Sequence, residues 1–258
     1  LMLDLLEHGP PAYRGVDLTL VFYAREEGPY DENELGPVLD ADAELCGVDL
    51  AVCLEPSDNK LSLGASGSIQ ADVVFEGRTA HSARPWQGEN AIHKAGPFLV
   101  ELAALAPREV VLDGLVYRTV TSCTLAEGGR GRNVVPDRFS LNVNHRFSPD
   151  QTVEGAKHAV EALVAGRAKI VWRDVAPAAP PFASHPLVAA LSAAGVRAVE
   201  PKQAWTDVAR FAALGVASVN FGPGVNAQAH QRDEWTSIAA LAEGRAILVR
   251  WLGAIGVR

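Results

Sequence analysis

The sequence predicts an α/β protein, a layered domain with a smaller domain inserted into it, and three observations carry that prediction. Apolar, β-rich runs alternate with helix-patterned runs towards both ends of the chain, as layered α/β domains require. Between them the pattern changes to half-buried alternation, with elements in the order βαββαβ. A proline-rich run at residues 177–181 then marks the return to the first pattern.

Taken in order, residues 17–24 (DLTLVFYA) are β-rich and mostly apolar, which predicts a strand buried in a parallel sheet. Residues 33–46 read as a helix and 48–54 as a second apolar strand. In the inserted part, 68–75 alternates as a strand and 90–105 is helical. Residues 117–125 and 139–147 are half-buried strands, 152–164 a helix and 169–174 a last strand. That is the split-βαβ, ferredoxin-like plan. A short strand at 217–221 and a long amphipathic helix at 237–252 complete the outer domain. The expected division is 1–64 with 178–258 for the layered domain and 65–177 for the insert. Residues 1–6 (LMLDLL) are an apolar helical stripe with no capping residue ahead of it, so further sequence is expected upstream.

Composition narrows the class of partner. The chain has 258 residues, 48% hydrophobic and 21% charged, enough for one large or two smaller globular domains. A formal net charge of −8 argues against nucleic acid or an anionic membrane surface. No apolar run reaches the roughly 20 residues that cross a bilayer, and no signal-peptide pattern is present. Cys46, Cys53 and Cys123 form no CxxC pair, so they read as buried thiols of a reducing compartment and predict a cytoplasmic protein.

Three candidate positions fall just beyond the carboxyl ends of three predicted strands, the edge where open α/β sheets bind ligands. They are Glu26 with Glu27, then Glu55, and the Gly222-Pro223-Gly224 turn leading to His230. Each offers a carboxylate or an imidazole, the donors that zinc accepts. Taken singly, a Glu-Glu pair after a strand is usually a solvated loop and a lone His more often structural; their common position is what singles them out. Two adjacent carboxylates near a low-dielectric edge repel, so one should keep its proton unless a cation neutralises the pair. As extended neighbours they would point in opposite directions, one to a metal and one to the substrate as a general base.

Five motifs then occur in order: residues 23–28 (YAREEG), 54–56 (LEP), 77–85 (GRTAHSARP), 133–137 (NVVPD) and 206–211 (TDVARF). Together they resemble the co-catalytic di-zinc peptidase and deacylase family, which includes acetylornithine deacetylases, aminoacylases, glutamate carboxypeptidases and succinyl-diaminopimelate desuccinylases. Residues 88–94 (GENAIHK), 205–207 (WTD) and 230–234 (HQRDE) look most like its actinobacterial desuccinylase branch. The resemblance implies a hydrolase of N-acyl amino acids holding two zinc ions, with cobalt or manganese as substitutes. It implies Glu26 as the general base, Glu27 and His230 as ligands of one metal, and Glu55 as a ligand of the other. By the same resemblance His81, in the inserted domain, crosses a homodimer interface to stabilise the oxyanion in the partner's site. Asn133 and Arg146 would bind substrate carboxylates, with Ser68 and Thr206 as further candidates. Arg84 and Arg132 read as solvated or structural, and His8, His145, His158 and His185 as structural.

One departure stands out. The family's His-x-Asp ligand motif and its metal-bridging Asp are not found in these 258 residues, and both are expected upstream of Leu1. Three readings therefore remain: a desuccinylase acting on N-succinyl-diaminopimelate, a deacetylase, aminoacylase or carboxypeptidase of the same chemistry, or an inactive fragment that only dimerises.

Overall fold

The computed structural model describes Met2, Leu5, Glu7, residues 15–228 and residues 231–256. Its strands, in chain order, are β1 (Ala51–Cys53), β2 (Leu61–Leu63), β3 (Gly67–Glu76), β4 (Arg108–Leu112), β5 (Leu115–Gly128), β6 (Arg138–Phe147), β7 (Lys169–Ala176), β8 (Val199–Pro201) and β9 (Ser218–Phe221). The helices are α1 (Leu35–Ala41), α2 (Ala91–Ala103), α3 (Val153–Val164), α4 (Pro186–Ala193), α5 (Val208–Ala213) and α6 (Ile238–Ile255). The chain divides into two compact units, the first taking in Leu1–Ala65, Val111–Val116 and Ala179–Arg258, the second Ser66–Val110 and Tyr117–Ala178.

The first unit is layered around a four-stranded sheet of order β1-β9-β2-β8. Strand β1 runs parallel to β9, while β2 is antiparallel to β9 and parallel to β8. Leu61, Leu63, Val219 and Phe221 of the sheet pack with Val188 and Leu191 of α4 and with Ile247, Leu248, Trp251 and Leu252 of α6. The α6 positions recur at helical spacing, which is why one face of that helix is covered. A second cluster joins Leu35 and Leu39 of α1 to Leu45, Ala51, Phe211 and Val216.

Two expectations for this unit fail. Residues 17–24 pair with no strand among the described residues. Val21 and Tyr23 pack against the α1 cluster, so β-rich composition gave apolar packing without a ladder partner. The helix expected at 33–46 breaks at Asp42, which is extended and whose side chain accepts from Glu44 N, starting a separate 3₁₀ turn at Ala43–Gly47.

The second unit is a five-stranded sheet of order β4-β5-β6-β3-β7. Strands β5, β6, β3 and β7 with α2 and α3 give the ferredoxin-like plan, and β4 is an additional edge strand that the alternation pattern missed. Its signal was the Asp113-Gly114 pair, both at positive φ (50° and 79°), a two-residue hairpin turn. Along β6 the odd-numbered residues 139–147 are buried and the even-numbered ones between them partly exposed. The odd face meets the helices, with Phe139, Leu141 and Val143 against Phe98 of α2 and Phe147 beside Ala156 of α3. Gly67 lies opposite Phe147, and a Cβ there would stand 2.1 Å from the phenyl ring, so only glycine fits. Asn90 and Thr152 cap α2 and α3 by accepting from main-chain N–H groups of the first turn. No helix among the described residues is long and apolar enough to cross a membrane.

Candidate active site

Glu26 and Glu27 are not extended neighbours, as their position after an expected strand suggested. Gly28 N donates to Arg25 O at 3.1 Å, which closes a turn with the two glutamates at its central corners. Arg25 enters that turn at φ 60°, a left-handed conformation unusual for a residue with a side chain. Glu26 is half-buried and Glu27 exposed, so divergence of the pair comes from turn geometry and not from strand alternation.

Glu55 follows β1, as expected. Its neighbour across the sheet edge is the turn after β9, where a Cβ on Gly222 would meet Glu55 O at 2.6 Å. That close approach draws the ends of two parallel strands together at one point. Lys202, just past β8, brings its Nζ to 3.6 Å from Glu55 Oε2 while 8% exposed.

Burial, followed by the charges of Glu55, Glu27 and Asp207, pushes the Glu26 carboxyl up from 4.5 to about 7, with Lys202 opposing. Burial raises Glu55 as well, against the pull of Lys202. The Cys53 thiol is held well above its ordinary value by burial and by Asp207, Glu55 and Glu26. These shifts describe an acidic concentration with one ammonium group in it. Carboxylates crowded enough to retain protons are relieved by a cation, so the donor chemistry fits a divalent metal. Among the described residues no three His, Cys, Asp or Glu side chains gather as a ligand set, and His230 lies outside the described residues.

Beneath the turn lies a buried polar network that sequence reading missed. Asp207, 1% exposed, accepts from Tyr23 Oη at 2.7 Å, from Asn33 Nδ2 at 2.9 and 3.1 Å, and from Arg210 Nε at 2.9 Å. The Arg210 guanidinium also donates to Tyr30 O and lies 3.9 Å from the centre of the Tyr30 ring. Thr206 is 3% exposed, and its hydroxyl proton goes to Asn220 Oδ1 at 2.8 Å, which leaves its oxygen only as an acceptor. The motif at 206–211 marked this segment, but nothing local distinguished Asp207 or Lys202 from solvated charges.

In the second unit, His81 and Asn133 are brought together by paired backbone. His81 bridges Val134, Ser82 N donates to Asn133 O at 2.9 Å, and Val135 N donates to Ala80 O at 2.8 Å. Both side chains are exposed. His81 Nδ1 accepts from Ala83 N at 3.1 Å, so in the neutral ring the proton sits on Nε2, a donor facing outward from that contact. Ser68 and Arg146 are opposite one another across β3 and β6, on the polar face that also carries Gln70 and Asn144. Arg146 Nε donates to Asn144 Oδ1 at 3.0 Å, which fixes the plane of the guanidinium. His145 points to the helix-covered face, 4% exposed, with Nδ1 2.8 Å from Thr121 Oγ1.

A family described as the peptidase dimerisation domain matches residues 63–170. A putative succinyl-diaminopimelate desuccinylase of Mycobacterium tuberculosis is 40% identical over 238 residues, covering 92% of this chain and 67% of that protein. The chain belongs to the succinyl-diaminopimelate desuccinylase family. A second member, from Corynebacterium glutamicum, is 37% identical over 241 residues, covering 92% of this chain and 65% of that desuccinylase. The chain thus spans about two thirds of the length of its desuccinylase relatives. Among solved structures, an M20 family metallo-carboxypeptidase of Sulfolobus solfataricus superposes with a TM-score of 0.67 at 12% identity, covering 87% of this chain and 67% of that one. The fold described above is shared with that metallo-carboxypeptidase.

Proposed function

We propose that this chain carries the general base and part of the metal site of a hydrolase that cleaves N-succinyl-diaminopimelate to succinate and diaminopimelate. The observation that carries the reading is the place of Glu26, half-buried at the corner of a turn beside Glu27 and close enough to Glu55 for their charges to act on it. A carboxylate so placed, next to but distinct from the metal-ligating positions, can take a proton from water and return it. The names of the Mycobacterium and Corynebacterium relatives supply the substrate.

Glu27 and His230 would hold one zinc ion and Glu55 the other, with the remaining ligands in the upstream motifs. A bound divalent cation supplies polarisation of the scissile carbonyl and a more acidic water. Glu26 accepts the proton of the attacking water on a carboxylate oxygen and delivers it to the departing amine nitrogen. Lys202, with its Nζ 3.6 Å from Glu55 Oε2, offsets part of the local negative charge. His81, with its proton on Nε2, donates to the developing oxyanion of the partner subunit's site in a homodimer formed through the second unit. Arg146, planar and fixed by Asn144, and Asn133 take the substrate carboxylates, with Ser68 and Thr206 as further candidates. The enzyme works in the cytoplasm.

The test is a pair of substitutions in the full-length protein. Glu26→Gln keeps the shape but cannot accept a proton, so turnover should fall by at least about a thousandfold with metal content unchanged. Glu27→Gln should instead lose metal. Equal metal loss in both variants would overturn the division of roles. Assay against N-succinyl-diaminopimelate and N-acetylornithine fixes the acyl group: preference for the acetyl substrate transfers the reading to the deacetylase branch.

A further inference from the structure

We propose that Asp207 and Arg210 are positioning residues, a buried clamp that grips the Glu26–Glu27 turn from both of its ends. The proposal rests on the reading of Glu26 as the base, but its geometry does not. Tyr23 stands three residues before Glu26, Tyr30 three after Glu27, and Asn33 closes the same segment. All three hold to the Asp207–Arg210 pair: Tyr23 Oη and Asn33 Nδ2 donate to the carboxylate, and the Tyr30 carbonyl accepts from the guanidinium. Asn33 Nδ2 also lies 3.4 Å from Glu26 O, and its Oδ1 accepts from Leu35 N at 2.9 Å, so the clamp reaches the turn's own backbone and ties it to α1. Gly36 leaves room for the guanidinium, since a Cβ there would stand 2.9 Å from Arg210 Nη1.

A purely structural role is a poor explanation for this arrangement. Replacing a buried ion pair by apolar groups of the same volume is commonly neutral or stabilising, so packing alone gives no reason to bury Asp207 and Arg210. What the pair does that Leu and Met could not is accept and donate to three points on one short segment. That segment includes Arg25 at φ 60°, a conformation that persists only where its surroundings over-determine it. A base displaced by about 1 Å costs on the order of a hundredfold in rate, so the clamp acts on turnover.

The experiment compares Asp207→Asn and Tyr23→Phe in the full-length protein at saturating zinc, measuring kcat, KM and hydrogen exchange of the amides of residues 24–34. Asp207→Asn should lower kcat by about a hundredfold and Tyr23→Phe by about tenfold. KM should stay within about twofold, and exchange should speed at 24–34 while that of β9 is unchanged. Unaltered kcat and exchange in a folded Asp207→Asn protein overturns the proposal. If that variant does not fold, Tyr23→Phe, which removes one hydrogen bond and keeps the ring, decides on the same two readouts. Glu26→Gln serves as the control on the underlying reading: if it stays active, Glu26 is not the base, and the exchange rates alone judge the clamp.

Discussion

The two units bury different things. In the second, β6 alternates buried with partly exposed residues, and Phe75, Phe98, Phe139 and Leu141 close an apolar interior; ion pairs such as Arg173 with Asp72 and Arg108 with Asp150 involve exposed arginines. In the first, strands are three or four residues long. The buried charged side chains among the described residues, Lys202, Asp207 and Arg210, all belong to it. Exposed pairs contribute little to stability, whereas a buried one is costly to break. The contrast teaches where this chain spends conformational precision: both units pack on apolar clusters, and the first adds buried charged groups that fix one turn.

The largest effects should expose that difference. Phe147→Ala empties a fully buried site against Gly67 and Ala156 and should destabilise the second unit by about 3–5 kcal/mol in urea unfolding. Arg210→Met should cost the first unit a similar amount, about 3–5 kcal/mol, because the buried Asp207 loses its ion-pair partner. The two should differ in what a second change does. Adding Asp207→Leu to Arg210→Met should recover much of the loss, since the uncompensated charge is gone, while no neighbouring truncation recovers Phe147→Ala. Strict additivity at 207 and 210 would mean that the first unit is also held by packing alone, and the comparison would fail.

A smaller effect separates the units by pH. Burial lowers the His145 pKa, so the folded second unit keeps that ring neutral after the unfolded chain has begun to take up protons below about 6.5. The unfolded state then binds more protons, and stability is lost as pH falls. Glu26 works in the opposite sense. In metal-free protein its carboxyl stays protonated up to about 7, whereas the unfolded chain releases that proton near 4.5. The folded state binds more protons across that window, so stability declines as pH rises through it. Hydrogen exchange on metal-free protein should therefore show β3 and β6 loosening towards pH 5 and the segment 24–34 loosening towards pH 8. Movement of both in one direction would remove the distinction.

The same contrast explains what was legible in the sequence. In the second unit, half-buried alternation gave the strands close to where they lie, and the helices expected from 90 and 152 begin at the residues that cap them, because each signal is local. The edge strand β4 was missed although Asp113-Gly114 announced its hairpin. In the first unit, β2 and β8 have three residues each and α5 six, too short for any period to show. The site divides likewise. Glu26, Glu27 and Glu55 stood out by position after apolar runs. Asp207 did not, since its partners Tyr23 and Asn33 lie 184 and 174 positions away and only the fold joins them. The stretch 17–24 shows the converse: β-rich composition names a tendency, and a ladder needs a second strand to accept it.

The smallest expected effect lies at the helix caps, where the units should differ in degree only. Thr152 Oγ1 accepts from Gly155 N at 3.1 Å at the start of α3, and Ser237 Oγ sits 3.5 Å from Ala240 N at the start of α6. Replacing a hydroxyl cap by alanine typically costs about 1 kcal/mol, and the loss scales with how well the bond is made. Thr152→Ala should thus cost about 1 kcal/mol, and Ser237→Ala less than half of that. Asn90, which accepts from both Ile92 N and His93 N at 2.9 and 3.2 Å, should exceed either. Urea midpoints for the three alanine variants check the order. If Ser237→Ala proved the most costly, α6 would depend on its cap more than on the buried stripe of Ile247, Leu248, Trp251 and Leu252. The first unit's apolar layer would then be weaker than its packing implies, and its polar network would carry more of the fold than the turn alone requires.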